Sequence, residues 1–332
     1  MRTSTRTVFR GSSGELAGKL EMPSDAPKAW ALFAHCFTCG KDNAAAGRIS
    51  RALARQGIAV LRFDFTGLGE SEGDFAETGF SSNVEDLVRA ADHLRDQFSA
   101  PAVLIGHSLG GAAVLAAASR VPEVRGGVTI GAPADPFHVT GLLGDALPAV
   151  EAGEATVSIG GRPFRVRREF LDDIAMQPQC ERISTLDAAL LVMHSPLDEV
   201  VSVNNARIIF DTARHPKSFI ALDGADHLLS DRADAEYAAS GTEGELALAT
   251  SVDPGASRQV VEEVLRELRR VRGDEEGIQE LELSLARTRA RETLMASLDT
   301  SQGLALSIAQ RVMAGLDPGS IGTTLRRIDR LS

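Results

Sequence analysis

A strand, a sharp turn and a helix follow one another without a linker between residues 101 and 118. An apolar run favours a buried strand, Gly106-His-Ser-Leu-Gly110 follows it, and an alanine-rich segment typical of a helix comes next. A Gly-x-Ser-x-Gly turn between strand and helix holds its serine in strained backbone geometry and lifts the hydroxyl above the sheet edge. We therefore predict that Ser108 is a nucleophile and that the Leu109 amide is one donor of an oxyanion hole.

The two partners that a serine nucleophile needs come later in the chain, in the order acid and then histidine. Asp198 follows a predicted strand at residues 188–194, and His227 follows one at residues 218–222. A serine hydroxyl reacts well only when a base takes its proton and a carboxylate orients that base. Because residues that follow parallel strands meet at one edge of a sheet, we predict a triad of Ser108, Asp198 and His227.

Other side chains could compete for these roles. Asp135 also follows a strand and is the alternative acid, whereas Glu199 and Asp226 are carboxylates that we expect to be solvated or structural. Three further histidines are expected to pack or to form hydrogen bonds without reacting, namely His35, His107 and His194.

The loop after the predicted strand at residues 29–37 should supply the second oxyanion donor. The amides of Cys36 and Phe37 are both candidates, and we favour Phe37. Cys36 and Cys39 form a lone C-x-x-C, a pattern found in redox-active pairs and in half of a zinc site, although no second pair exists. With Cys180 the cysteines number three, which is not typical of a disulfide framework.

Alternation of strands and helices predicts an α/β fold, a mostly parallel sheet with helices on both faces. Residues 136–186 interrupt this rhythm and contain a predicted hairpin at 155–166, which indicates a small lid over the carboxyl edge of the sheet. The glycine-rich loop at residues 66–73 lacks the full spacing of a nucleotide-binding loop, so a nucleotide is not expected.

Composition limits the partners. The formal net charge of −11 over 332 residues argues against nucleic acid or an anionic membrane surface as a partner. The first residues lack the apolar core of a signal peptide, and no apolar run approaches the roughly 20 residues of a membrane span. We therefore expect a cytoplasmic protein. The predicted triad, and not the composition, points to a small acyl substrate.

The last part of the chain has a different character. No aromatic residue, histidine or cysteine occurs from residue 238 to the end, and amphipathic helical patterns follow. We predict a hydrolase-type domain at residues 1–240 and a helical, non-catalytic appendage at residues 241–332, which could be an incomplete domain. Because amphipathic helices need cover for their apolar faces, the appendage could contact a second copy or a partner.

Residues 5–238 resemble the α/β-hydrolase superfamily, and within it the hydrolase half of bacterial bifunctional hydrolase/OsmC-type proteins. The matching motifs are His35-Cys-Phe-Thr-Cys-Gly-Lys-Asp42, Arg62-Phe-Asp-Phe-Thr-Gly-Leu-Gly-Glu-Ser71, Gly106-His-Ser-Leu-Gly-Gly111, His194-Ser-Pro-Leu-Asp198, His215-Pro-Lys-Ser218 and Gly224-Ala-Asp-His227. The resemblance implies hydrolysis of carboxyl esters or related acyl compounds by Ser108, Asp198 and His227, without metal or organic cofactor. Where many relatives have His-Gly in the oxyanion loop, this chain has His35-Cys36.

Residues 243–332 contain a predicted strand, Asp253-Pro-Gly, a predicted Arg/Glu-rich helix, the segment 282–301 and Gly315-Leu-Asp-Pro318. This pattern resembles a fragment of an insulinase/pitrilysin-type zinc peptidase, but the zinc-binding His-x-x-Glu-His is absent. The resemblance therefore implies a non-catalytic segment. Two hypotheses follow for the whole chain, a serine hydrolase and, from another class, a hydrolase-fold interaction protein with little turnover whose helical tail docks a partner.

Overall fold

The computed structural model describes residues 3–241, and within them the main sheet has eight strands in the order β1-β2-β4-β3-β5-β6-β9-β10. The first two strands run antiparallel to their neighbours and the other six are mutually parallel. This sheet confirms the predicted fold class. In chain order the strands are β1 (Thr3–Arg10), β2 (Glu15–Met22), β3 (Ala29–Ala34), β4 (Ile58–Phe63), β5 (Val103–His107), β6 (Gly126–Ile130), β7 (Glu154–Ile159), β8 (Arg162–Arg167), β9 (Ala189–His194) and β10 (Lys217–Ala221).

Helices cover both faces of the sheet, because the side chains of buried parallel strands alternate between two apolar faces. In β3, for example, Leu32 joins the cluster that contains the residues of α2 and α3, whereas Phe33 joins the cluster of α1 and α8. The helices are α1 (Ala44–Arg55), α2 (Phe80–Gln97), α3 (Leu109–Ala117), α4 (Leu147–Glu151), α5 (Arg168–Ala175), α6 (Gln179–Ser184), α7 (Asn204–Thr212) and α8 (Arg232–Gly241).

The start of α2 differs from the sequence-based expectation. The serine-rich pattern predicts a helix from residue 82 with a serine N-cap, but the helix begins at Phe80 and Gly79 is its N-cap residue. The Ser82 hydroxyl accepts a hydrogen bond from the Gly79 amide at 2.9 Å. Asp173 of α5 accepts one from the Ser81 amide at 2.8 Å. A carboxylate from a distant part of the chain therefore satisfies this helix terminus, which local pattern could not show.

The insertion between β6 and β9 occupies residues 136–186. It consists of a 3₁₀ segment at Pro136–Ala146, the helices α4, α5 and α6, and the antiparallel pair β7 and β8. The pair lies where the hairpin is predicted. Phe170 and Ile174 of α5 are buried in the same apolar cluster as α2, so the insertion is packed against the body of the fold.

The predicted appendage at residues 241–332 lies outside the described residues, apart from Gly241, which ends α8. The division at residue 240 and the role of the appendage therefore stay predictions. Within residues 3–241, none of the helices has both the length and the hydropathy needed to span a bilayer.

Candidate active site

The turn between β5 and α3 places Ser108 at the carboxyl edge of the sheet. Ser108 has φ 55° and ψ −128°, a left-handed backbone conformation that few non-glycine residues adopt. Its amide donates to the Ile130 carbonyl of β6 at 2.8 Å, which anchors the turn to the neighbouring strand. A Cβ on Gly106 would overlap the carbonyl of Gly110, and one on Gly110 would overlap that of His35. Both glycines are therefore required by close backbone contacts.

The structure brings Ser108, His227 and Asp198 together in a hydrogen-bonded row. His227 Nε2 lies 3.0 Å from Ser108 Oγ, and His227 Nδ1 lies 2.8 Å from Asp198 Oδ2. Because an ionised carboxylate only accepts hydrogen bonds, Nδ1 carries the proton, and Nε2 can accept the serine hydroxyl. This is the tautomer that a general base for Ser108 requires.

Asp198 is held in its ionised form by the backbone around it. Its Oδ1 accepts hydrogen bonds from the amides of Val200 at 2.9 Å and Val201 at 2.8 Å. Burial disfavours the charge, but the hydrogen bonds from His227 and from these amides outweigh it, so the pKa of Asp198 lies below its ordinary value. Asp198 is thus a fixed negative charge beside the imidazole at neutral pH.

The other carboxylates and His194, which the sequence offered as competitors, have different surroundings. Asp135 caps the 3₁₀ segment by accepting from the Phe137 amide at 2.8 Å. Asp226 accepts from the Ser230 amide at 2.8 Å and Glu199 is exposed. His194 is buried in β9, where its Nε2–H donates to the Val201 carbonyl at 2.7 Å. Only Asp198, among these carboxylates, contacts the His227 ring.

The loop after β3 runs beside Ser108 and carries the predicted second oxyanion donor. The Cys36 carbonyl accepts from His35 Nδ1–H at 2.8 Å and from the Cys39 amide at 3.1 Å. The C=O and N–H of a trans peptide point in opposite directions, so these bonds turn the Phe37 amide the other way. Within residues 3–241, neither this amide nor that of Leu109 donates to a protein acceptor.

A disulfide bond joins Cys36 and Cys39 in this loop, while Cys180 is a free, exposed thiol. The sequence left open a redox pair and half of a zinc site. The bond consumes both sulfurs, so the zinc reading is wrong for this state of the chain. Across residues 3–241, the His, Cys, Asp and Glu side chains form no group of three or more suited to a metal.

The other end of the same loop is anchored by a buried ion pair that sequence reasoning missed. Lys41 Nζ lies 2.8 Å from Asp64 Oδ2 and 2.7 Å from Glu70 Oε2, and the Lys41 amide donates to Asp64 Oδ1. Gly69, with φ 57°, lies so close to the Asp64 carboxylate that a Cβ on it would overlap the carboxylate. The glycine-rich loop at residues 66–73 thus encloses a carboxylate rather than a phosphate.

A cleft of about 640 Å³ opens over Ser108. The insertion covers part of it through Leu142, Ile159 and Arg162. Arg162 Nη2 donates to the Thr38 carbonyl at 2.9 Å and so connects the insertion to the oxyanion loop. The other lining residues are residues 36–43 of the loop after β3, Asp64, Gly69 and Glu70 of the loop after β4, Gly160 of the insertion, Val200 of the loop that carries Asp198, and His227 and Leu228 of the loop that carries the base.

Similarity to known proteins agrees with this geometry. Residues 26–146 match the family described as serine aminopeptidase, S33. The protein YfhR of Salmonella typhi, itself uncharacterized, is 25% identical over 176 residues, which are 53% of this chain and 57% of that protein. The chain thus spans little more than half of that relative. A monoacylglycerol lipase of Mycolicibacterium smegmatis is 26% identical over 250 residues, covering 64% of this chain and 86% of the lipase.

The crystal structure of an esterase domain from a Rhodothermus marinus protein is 48% identical to this chain, with a TM-score of 0.61. The match covers 72% of this chain and 96% of that domain. An identity of this size over nearly a whole domain shows common family membership as well as a common fold. The chain therefore belongs to the α/β-hydrolase family of serine esterases.

Proposed function

We propose that this chain hydrolyses carboxyl esters through an acyl-enzyme intermediate on Ser108. The observation that carries the proposal is the hydrogen-bonded row of Ser108, His227 and Asp198 at the strained turn before α3. A serine that is lifted out of the sheet, with an imidazole of the correct tautomer in reach, is equipped for nucleophilic attack on an acyl carbonyl.

The reaction follows from where the protons lie. As Ser108 Oγ forms a bond to the carbonyl carbon, its proton passes to His227 Nε2, and the imidazolium is stabilised by Asp198. The tetrahedral intermediate then collapses, the C–O bond to the alcohol breaks, and Nε2 returns the proton to the leaving oxygen. Water attacks the acyl-enzyme by the same route, with His227 again taking and returning a proton, and releases the carboxylic acid.

The amides of Phe37 and Leu109 would stabilise the oxyanion. Leu109 is the first residue of α3, where a backbone amide has no partner within the helix and the helix dipole favours negative charge. The Phe37 amide is turned away from the bonds that hold the Cys36 carbonyl. His35 thereby acts as a positioning residue, since it fixes the orientation of the peptide that carries this donor.

The cleft supports a small acyl substrate with an apolar portion. Its volume lies in the range of about 300–1,000 Å³ that is typical of small-molecule sites. Apolar side chains from three loops and from the insertion line it, namely Phe37, Val200, Leu228, Leu142 and Ile159. Residues 136–186 would serve as the lid that sets the size of the acyl group, because two of these side chains belong to that insertion.

Substitution of the nucleophile tests the proposal against the alternative of an inactive interaction protein. We expect Ser108→Ala to lower the kcat for p-nitrophenyl butyrate by on the order of 10³-fold or more, because the acyl-enzyme can no longer form. Ser184→Ala is the matched control, since Ser184 lies in α6 and, within the described part of the chain, its hydroxyl bonds only to the Glu181 carbonyl. Equal turnover by the Ser108→Ala and Ser184→Ala variants would contradict the proposal, and so would the absence of turnover in the unmodified chain.

A further inference from the structure

The Cys36–Cys39 disulfide lies in the wall of the cleft that holds Ser108. Both cysteines line the cleft, but Cys36 is buried, with 4% of its surface exposed, whereas Cys39 is half-buried. The Asn43 side-chain amide lies 3.8 Å from Cys39 Sγ and can donate to it. A molecule in the cleft therefore has readier access to Cys39 than to Cys36.

The bond does little for the stability of the fold as a whole. It links residues only three apart in sequence, and the loss of unfolded-state entropy on cross-linking is smallest for such short loops. The loop is also flanked by β3 on one side and by the anchored Lys41 on the other. The effect of the disulfide is thus confined to residues 36–39.

Within those residues the disulfide controls the peptide that carries the Phe37 amide. The Cys39 amide donates to the Cys36 carbonyl across the same turn that the two sulfurs close. Thr38 at the tip has φ 60°, which a β-branched residue adopts only where its surroundings enforce it. The Cys36 carbonyl has two donors, the Cys39 amide and His35 Nδ1–H. Opening the bond frees Cys39 to move, so His35 is the donor that stays in place.

We propose that the Cys36–Cys39 bond is a thiol–disulfide exchange site for dithiol reductants and that its reduction slows ester hydrolysis. The second half of this inference rests on the proposed function, because it assigns the Phe37 amide to the oxyanion hole. The first half, the exchange chemistry, stands independently of any hydrolytic activity.

The exchange begins with one thiolate of the dithiol attacking Cys39 Sγ. The S–S bond breaks, its electron pair leaves on Cys36 Sγ, and a mixed disulfide forms on Cys39. The second thiolate of the same molecule then attacks the reductant's sulfur in that mixed disulfide and expels the Cys39 thiolate. Both cysteines end as thiols with the protons that the dithiol lost, and the dithiol ends as its own disulfide. A dithiol suits this half-buried site because its second thiol is already at high effective concentration.

Reduction should act on kcat more than on KM, because the oxyanion donor works mainly in the transition state. Complete loss of one oxyanion donor costs on the order of 10²–10³ in kcat. Reduction only loosens the peptide that carries the donor. We therefore expect kcat to fall by about 10-fold or more, but by less than complete loss of the donor would cause. Re-oxidation should restore the original rate, since the same two sulfurs face each other across the turn.

The experiment compares the folded full-length chain before and after treatment with dithiothreitol. Free thiols are counted by alkylation and mass spectrometry, kinetics with p-nitrophenyl butyrate give kcat and KM, and circular dichroism verifies the fold. We expect the alkylated thiols to increase from one to three per chain, kcat to fall, and oxidised glutathione to reverse both changes.

Cys36→Ser/Cys39→Ser should have the reduced kcat with or without dithiothreitol, and Cys39→Ala gives a second variant should the double one not fold. Cys180→Ser, at the exposed thiol of α6, should respond as the unmodified chain does.

Three results would overturn the inference. The first is a folded chain whose disulfide resists dithiothreitol, and the second is a reduced chain with unchanged kcat. The third is a loss of rate that persists after the disulfide has re-formed. An oxidised chain without any turnover would count against the proposed function instead, and thiol counting would still decide the exchange chemistry.

Discussion

The Nε2–H of His107 donates a hydrogen bond to the main-chain carbonyl oxygen of His227, 2.6 Å away. His107 precedes the nucleophile and His227 carries the base, so this bond joins the elbow to the loop of the general base. His107 is 2% exposed, and the centroid of its ring lies 5.3 Å from that of the His227 ring. Burial, and then the neighbouring imidazole, lower the pKa of His107 from 6.5 to about 4.

This pKa predicts a loss of stability in acid. Between pH 6.5 and about 4 the unfolded chain binds a proton at His107 that the folded chain does not, so the free energy of unfolding falls as pH falls. No stability is lost at His107 above pH 6.5, and the loss reaches about 3 kcal/mol once pH is below both pKa values. Urea unfolding at about pH 7.5 and about pH 4.5 should therefore show a smaller acid loss in His107→Gln, which cannot titrate. Equal losses in the variant and the unmodified chain would contradict this account.

Replacing each of the two candidate acids by asparagine should affect kcat differently. Asp198→Asn should lower kcat by on the order of 10⁴-fold, because the amide no longer selects the tautomer in which His227 Nε2 accepts the serine proton. Asp135→Asn should retain nearly full activity, since asparagine caps a helix as well as aspartate does. Steady-state kinetics with one ester substrate compare the two. The reverse ranking would assign the acid role to Asp135.

Close backbone contacts at the elbow predict which glycines can be replaced. Gly106→Ala places a Cβ against the Gly110 carbonyl, and we expect misfolding or a loss of several kcal/mol in unfolding free energy. Gly126→Ala is the matched control in the neighbouring strand, because its Cβ would meet no atom closer than 3.9 Å. Thermal unfolding of the two variants gives the comparison. A Gly106→Ala chain as stable as Gly126→Ala would refute the close packing of the turn.

Much of the fold was accessible from local pattern. The alternation of apolar runs and helical stripes predicted the mostly parallel sheet, and the context of the Gly-x-Ser-x-Gly turn identified Ser108. The order of Asp198 and His227 in the chain then favoured them as acid and base, with Asp135 left as the alternative acid. These features could be predicted because each depends on residues that are adjacent in sequence and on the rule that parallel strands end at one edge.

Features that depend on residues far apart in the chain could not be predicted from local sequence pattern. The start of α2 is set by Asp173, more than ninety positions beyond the helix terminus that it satisfies. The ion pair of Lys41 and Asp64 forms only because β3 and β4 are neighbours in the sheet, although the glycine that wraps Asp64 was a visible signal. The disulfide likewise depends on the geometry of the turn between Cys36 and Cys39, which two cysteines at this spacing do not specify.

Activation of Ser108 by His227 underlies the proposed mechanism. It is tested most directly by covalent labelling of the full-length chain with a fluorophosphonate, followed by mass spectrometry of the peptide that contains residue 108. We expect one phosphonyl group per chain, carried by Ser108, and labelling that is lost in Ser108→Ala and strongly slowed in His227→Ala. Labelling at another residue, or equal labelling of the unmodified chain and the His227→Ala variant, would contradict it.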